Sequence, residues 1–374
     1  MYQGKADAQY KGGNHVAKFE PTLLVPAMAA VTRSVGFGIT GSTSYVPPYR
    51  LVRDWSTLDH LTEGRVAWNI VTSFSKSSAR VFGLDDLLSH DERYKAAEEY
   101  MEIVYQLWEK SWEDGVQKWQ AEVPFPSFPP FPSSQNSLLT KVSLKPEMAY
   151  DPAKIHKVEY AGKYLKFSGR GPTHPSPQRT PLIFQAGASK AGIDFGAKHA
   201  EAIFCAHSTI PECKKYVETV RAAANAQGRD GSAIKFFLGA MVFVGATEAE
   251  GRAKYEAARK LVSVEGGLAR FSGLANIDMS VYPLDEPIKF FGDLRENAVH
   301  GLINSVPFFK NKESVTPRDL GEILAFGGLG PQPVGSASQV ADVLEKWVVE
   351  CDIDGFNLSR EFLVMVFWSL MLMM

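Results

Sequence analysis

Asn69, Thr72 and Ser73 stand at the end of an apolar run, and a second polar set, His90, Asp91, Glu92 and Tyr94, follows at the head of a helical pattern. Residues Arg65–Thr72 are rich in Val, Ile and Trp and short enough for a buried strand. In parallel α/β folds the loops at the carboxyl ends of strands carry the chemistry, so small hydrogen-bonding side chains here are candidate ligand contacts. Ser89-His90-Asp91-Glu92 reads as a capping box that opens a helix over Asp91–Trp108. His90 and Tyr94 then lie at its electropositive end. An ordinary βα unit with a capped helix has the same spacing, so these residues alone leave the chemistry open.

A second constellation is Gln185-Ala186-Gly187-Ala188-Ser189, followed by Lys190-Ala191-Gly192. A strand runs into small residues and then into a serine at a helix N-cap. Small residues let backbone N–H groups approach an anion, and a helix N-terminus favours negative charge. The segment reads as a phosphate cradle or as a tight βα turn with a serine cap.

The elements that must position these groups alternate. Strands are predicted at Val35–Gly41, Arg65–Thr72, Pro181–Ala186, Ala202–Ala206, Lys235–Val244 and Gly355–Leu358. Helices are predicted at Tyr49–Leu61, Asp91–Trp108, Lys190–His199, Pro211–Gln227, Glu248–Leu261 and Ser338–Glu350. Near-continuous apolar strands alternating with helices imply a parallel sheet covered by helices. The 374 residues, 45% hydrophobic and 22% charged, are ordinary for a soluble globular protein. A net charge of −2 and no Lys/Arg-rich run argue against nucleic acid. Cys205, Cys213 and Cys351 form no CxxC pair, and the first residues lack a signal-peptide pattern, which together point to a cytoplasmic protein with reduced thiols. The scattered histidines show no metal spacing, so no metal site is expected, and no G-x-G-x-x-G follows a strand. Asp59-His60 reads as helix packing rather than a proton relay, and the Trp and Phe residues read mostly as core.

Five blocks occur together and in order: STSY…PY…R…STLDHLTEGR from Ser42 to Arg65, WNIVTS (68–73), HDERY (90–94), QAGAS (185–189) and DGFNL (354–358). In this the chain resembles the bacterial-luciferase-like flavin monooxygenases, specifically the nitrilotriacetate, dibenzothiophene-sulfone and long-chain-alkane monooxygenase group. The resemblance implies a single luciferase-like (β/α)8 TIM barrel over residues 1–374 that uses reduced FMN and O₂ to oxygenate a small organic substrate through a flavin C4a-hydroperoxide. Carried over, Ala186, Gly187, Ala188 and Ser189 line the FMN phosphate, with the Tyr94 hydroxyl as a further donor. Asn69 and Ser73 flank the flavin ring and ribityl chain, and His90 lies near the ribityl or phosphate end. Tyr45 points to the substrate side. Phe74 stands where alkane-oxidising relatives carry histidine, which makes an apolar or sulfur-containing substrate the expectation. The family also implies a separate flavin reductase as electron source, a homo-oligomer, and no membrane association.

The chain departs from the family at several points. Met1–Gly4 resembles a segment that follows the second barrel strand in relatives, so the first two strands are expected to be missing. The proline-dense stretch 122–147 reads as an insertion, and residues 265–330 as a second one that covers the site in relatives. Phe362–Met374, an apolar run of about 13 residues and too short for a bilayer, stands in place of the closing helix. Three alternatives follow: an inactive truncated homologue with a binding or regulatory role or no function, a deazaflavin-dependent oxidoreductase on the same fold, or a cofactor-free scaffold with a Pro-rich docking loop.

Overall fold

Six short apolar segments form one parallel sheet in the order β1-β2-β5-β6-β7-β10, where β1 is Phe37–Ser42, β2 Val66–Val71, β5 Leu182–Gln185, β6 Ala202–Cys205, β7 Lys235–Ala240 and β10 Gly355–Leu358. The computed structural model describes residues 19–74, 76–117, 149–275, 278–288, 315–326 and 330–359. The expected insertion at 122–147, the Phe362–Met374 run and Met1–Gly4 lie outside the described residues, and 265–330 lies inside only in part. The strand order follows the chain, as in a (β/α)8 barrel. A closed barrel needs eight strands; among the described residues there are six in this sheet, and β1 and β10 are its edges.

Helices α2 (Pro48–Thr62), α4 (His90–Tyr105), α5 (Lys190–His199), α6 (Ile210–Ala226) and α10 (Ala337–Cys351) connect or follow these strands. Earlier in the chain, α1 (Pro21–Ala30) packs on α2, and α3 (Lys76–Val81) precedes α4. Along β2, Trp68 and Ile70 are buried beneath the helices, whereas Asn69 and Val71 on the other face are only half-buried. This period-two alternation assigns one face to the core and the other to the barrel interior. Trp68 is central to the core, with its ring 6.1 Å from Trp55, 6.1 Å from Tyr100 and 6.0 Å from Trp108. Its indole donates to the Gly41 carbonyl at 3.1 Å. A Cβ at Gly41 would sit 2.6 Å from the Trp68 indole nitrogen, so β1 needs glycine there to lie against the indoles. Helix α2 ends on Glu63 and Gly64, both left-handed, with Gly64 N–H closing onto the Asp59 carbonyl at 3.0 Å.

Three sequence expectations change. Ser89 is the N-cap of α4, but its side chain makes no capping bond. Glu92, the expected reciprocal partner, is drawn instead to the hairpin of β3 (Val158–Ala161) and β4 (Lys166–Gly169), where it accepts from Lys163 and Tyr164 as well as from Lys95. The helix expected to reach Trp108 is α-helical to Tyr105 and closes in a π-turn over Gln106–Lys110. The run Lys235–Val244 is not one strand: β7 stops at Ala240, and β8 (Phe243–Gly245) pairs with β9 (Val334–Ser336) in a separate parallel sheet. Asp59 is fully buried and accepts from the Gln178 backbone and side chain at 2.8 and 2.6 Å, a packing role that pins the loop before β5. Beyond the barrel strands, α7 (Glu248–Arg259), α8 (Val264–Ala275) and α9 (Pro317–Ala325) add small clusters around Phe243 and Phe271.

Candidate functional site

Two groups of side chains gather at the carboxyl ends of β1, β2 and β5. The first is built on the β5–α5 turn. Ser189 is the N-cap of α5, and its hydroxyl accepts from Gly192 N–H at 3.1 Å. Lys190 and Ala191, the first two residues of α5, have no intrahelical acceptor for their N–H groups. Gly187 and Gly192 are packed backbone to backbone: a Cβ on Gly187 would lie 2.7 Å from Gly192 Cα, and one on Gly192 would lie 2.8 Å from the Tyr94 hydroxyl. Ala186 and Ala188 are exposed on the rim, and Gly187 is buried. The Gly187 N–H itself is already used, donating to Gln185 Oε1 at 2.6 Å, and its carbonyl accepts from Tyr216 at 2.7 Å. The turn is therefore held rigidly from below, and its open donors are those nearer the helix.

Tyr94 reaches this turn from α4. Burial pushes its phenol pKa up, and hydrogen bonds with Ser189, Thr72 and Gln185 oppose that shift. His90, one turn earlier, has its ring 5.2 Å from Tyr94 and its Nδ1 2.7 Å from Asp91. His90, Tyr94, Ser189 and Lys190 line a cleft of about 760 Å³ between α4 and α5. Its cations are matched by acids, Lys190 with Asp194 at 2.6 Å and Lys198 with Glu98. An anion here would be held by amides and hydroxyls more than by net charge.

The second group faces the barrel interior. Asn69 donates to Thr40 at 3.0 Å across the β1–β2 register, while its Oδ1 is buried without a hydrogen-bond partner among the described residues. An orphaned buried acceptor is costly unless a ligand donor meets it. Ser73 adopts a left-handed conformation (φ 56°) and shares a 2.8 Å hydrogen bond with Ser42. Tyr45 stacks on Phe82 at 4.8 Å; burial raises its pKa against hydrogen bonds with Ser78 and Ser73. Phe74 is half-buried directly after Ser73.

These residues fit the group that the sequence resemblance implies. Asn69 Oδ1 supplies an unused acceptor, the Gly187–Gly192 contact leaves no room for a side chain over the turn, and the start of α5 offers donors for a phosphate. The structure brings Tyr94, His90 and residues 186–189 together, with Asn69, Ser73, Tyr45 and Phe74 at neighbouring strand ends.

Several residues escaped the sequence reading. Phe184, Phe204 and Phe237, expected as core, cluster in the barrel interior, Phe184 stacked on Phe204 with centroids 4.8 Å apart and Phe237 tilted with its centroid 6.0 Å from Phe184. Phe184 is in register with Asn69 and shares its face. Gln185, which the sequence places at the head of the turn, is buried at the end of its apolar strand. Arg93 is buried on the same stripe as Ala97, Tyr100, Met101 and Val104, a charge inside an apolar helical period. Among the described residues no cluster of three or more His, Cys, Asp or Glu side chains could hold a metal, and no helix is long and apolar enough to cross a membrane.

The chain is 38% identical over 359 residues to a dimethyl-sulfide monooxygenase of Hyphomicrobium sulfonivorans, covering 96% of the chain and 69% of that protein. It is 36% identical over 360 residues to a long-chain alkane monooxygenase of Geobacillus thermodenitrificans, covering 96% and 72%. A crystal structure of a long-chain alkane monooxygenase superposes with a TM-score of 0.77 at 35% identity, over 97% of this chain and 74% of that one. A riboflavin lyase solved with a modified FMN gives 0.78 at 28% identity, over 96% and 75%. Residues 6–350 match the luciferase-like monooxygenase family, and the chain belongs to it.

Proposed function

We propose that this chain is the oxygenase of a two-component flavin-dependent monooxygenase, taking reduced FMN from a separate reductase and oxygenating a small organic substrate with O₂. The observation that carries this reading is the convergence of Tyr94, Ser189 and the α5 amides on one side and the orphaned Asn69 Oδ1 on the other, at the carboxyl rim of a parallel barrel sheet. When bound, the reduced flavin supplies the electrons that activate dioxygen; the protein supplies binding, orientation and exclusion of water.

In this reading Ser189 and the first amides of α5 hold the phosphate, and Tyr94 adds its hydroxyl. High phenol pKa keeps Tyr94 protonated at neutral pH, so it remains a donor to an anion. Asn69 takes a ligand N–H or O–H. His90 borders the phosphate end of the cleft. Phe184, Phe204 and Phe237 form an apolar floor that restricts water, and Tyr45, Phe82 and Phe74 make the substrate side apolar. The dimethyl-sulfide and alkane relatives support a small apolar or sulfur-containing substrate.

Titration of the protein with FMN, followed by flavin fluorescence, tests the first half. The second half is tested by oxygen consumption with NADPH: none is expected from the chain and FMN alone, and substrate-dependent consumption is expected once a flavin reductase is added. Reductase-free NADPH oxidation would place the chain among one-component flavoenzymes.

A further inference from the structure

The first turn of α4 buries a cation that no carboxylate among the described residues matches. Arg93 is 7% exposed. Its Nη1 donates to the Leu88 carbonyl at 2.8 Å, and its Nε is buried with no hydrogen-bond partner among the described residues. The acid whose field it feels, Asp91, is 77% exposed on its side chain and bonded to His90. Charged side chains are seldom buried unless paired, and a cation at a helix N-terminus also opposes the helix dipole. The fold by itself therefore leaves this charge uncompensated by any described side chain in the first α4 turn. That charge acts on both tyrosines of the rim, lowering the pKa of Tyr45 and of Tyr94 against the effect of burial.

With Nη1 committed to Leu88, the Nε edge of the guanidinium fork is left, the geometry that matches an oxyanion. We propose that Arg93 is the buried counter-charge for an oxyanion bound at the rim beside Tyr45 and Tyr94, carried either by the flavin phosphate or by a sulfinate or carboxylate group on the substrate. The inference rests on the proposed function only in taking this rim as the ligand site. A buried charge retained without a partner destabilises the empty protein and favours the loaded one. That makes Arg93 a specificity residue for anionic ligands, distinct from a strut that merely holds Leu88.

The test compares the full chain with Arg93→Met and Arg93→Lys. Three paired measurements are made on each: thermal shift with inorganic phosphate against chloride, thermal shift with methanesulfinate against neutral dimethyl sulfone, and fluorescence titration with FMN against riboflavin. The wild type is expected to prefer at least one oxyanion over its neutral or monovalent counterpart. Arg93→Met is expected to lose that preference by tenfold or more, with Arg93→Lys in between. Without ligand, Arg93→Met is expected to melt at the same temperature as wild type or above it. Loss of the FMN preference identifies the phosphate as the source, and loss of the methanesulfinate preference identifies the substrate. No oxyanion preference in wild type, or a preference unchanged in Arg93→Met, overturns the proposal. So does a lower melting temperature in Arg93→Met with anion responses intact, since that is the behaviour of a strut. The phosphate and sulfinate arms need no flavin. If wild type binds neither flavin yet keeps an Arg93-dependent oxyanion response, the flavin reading fails and this one stands.

Discussion

Removing the Ser189 hydroxyl separates the two uses that the β5–α5 turn makes of it. The hydroxyl caps α5 by accepting from Gly192 N–H at 3.1 Å, and in the proposed function it also donates to the phosphate. Losing the cap costs about 1 kcal/mol in Ser189→Ala but only a few tenths in Ser189→Gly, because glycine is itself tolerated at an N-cap. Losing a hydrogen bond to a charged phosphate costs about 1.5–3 kcal/mol, roughly ten- to a hundredfold in affinity. Both variants are therefore expected to bind FMN about ten- to a hundredfold more weakly, with riboflavin affinity nearly unchanged. Ser189→Ala alone is expected to show a measurable stability loss, a fall in melting temperature of about 2 °C or less for a chain this long. Fluorescence titration with the two flavins and a thermal melt in parallel give the full comparison. Equal losses for FMN and riboflavin in both variants would refute the assignment of this turn to phosphate.

Tyr94→Phe removes a second hydroxyl donor to the charged phosphate and is expected to lower FMN affinity about ten- to a hundredfold, leaving riboflavin binding alone; a larger effect on turnover than on affinity would contradict its holding role. Gly187→Ala drives a Cβ to 2.7 Å from Gly192 Cα and 2.5 Å from the Gln185 amide, so the turn must open, at about 1–3 kcal/mol in denaturant unfolding; an unchanged midpoint would show that the turn yields freely. Burial works against the charge on Glu98, yet hydrogen bonds from His199 and Lys198 leave its pKa below the ordinary value. Its contribution is thus present above the unfolded pKa of about 4.3 and is lost as pH falls through the lower folded value. Glu98→Gln should flatten the stability profile between about pH 5 and pH 3, and an identical acid limb would count against the pairing.

What could be read from the sequence was what each segment decides for itself. Six strands are short apolar runs closed by turn residues, and all six appear in the sheet, five with ends shifted by no more than two residues and the sixth, Lys235–Val244, stopping four residues short at Ala240. Ser189 reads as an N-cap because the serine, the small residues before it and the helix after it are contiguous. The failures share a different cause, the choice of partner by elements distant in sequence. Glu92 had the spacing of a capping box, but the Lys163–Tyr164 turn, some seventy residues on, offers it two donors at once. The run Lys235–Val244 contains no proline or polar break. It divides because Met241 and Phe243 N–H groups donate to Pro331 and Pro333, near a strand that arrives almost a hundred residues later. The clustered Phe184, Phe204 and Phe237 look like core in any window, since only the barrel's curvature decides which face of a doubly apolar strand turns inward. Arg93 is the instructive intermediate. Its position in the stripe completed by Ala97, Tyr100, Met101 and Val104 announces burial from sequence alone. Only the fold shows that no carboxylate among the described residues follows it inside. A buried cation at the wrong end of a helix dipole costs stability, and the negative charge of the proposed ligand would offset that cost.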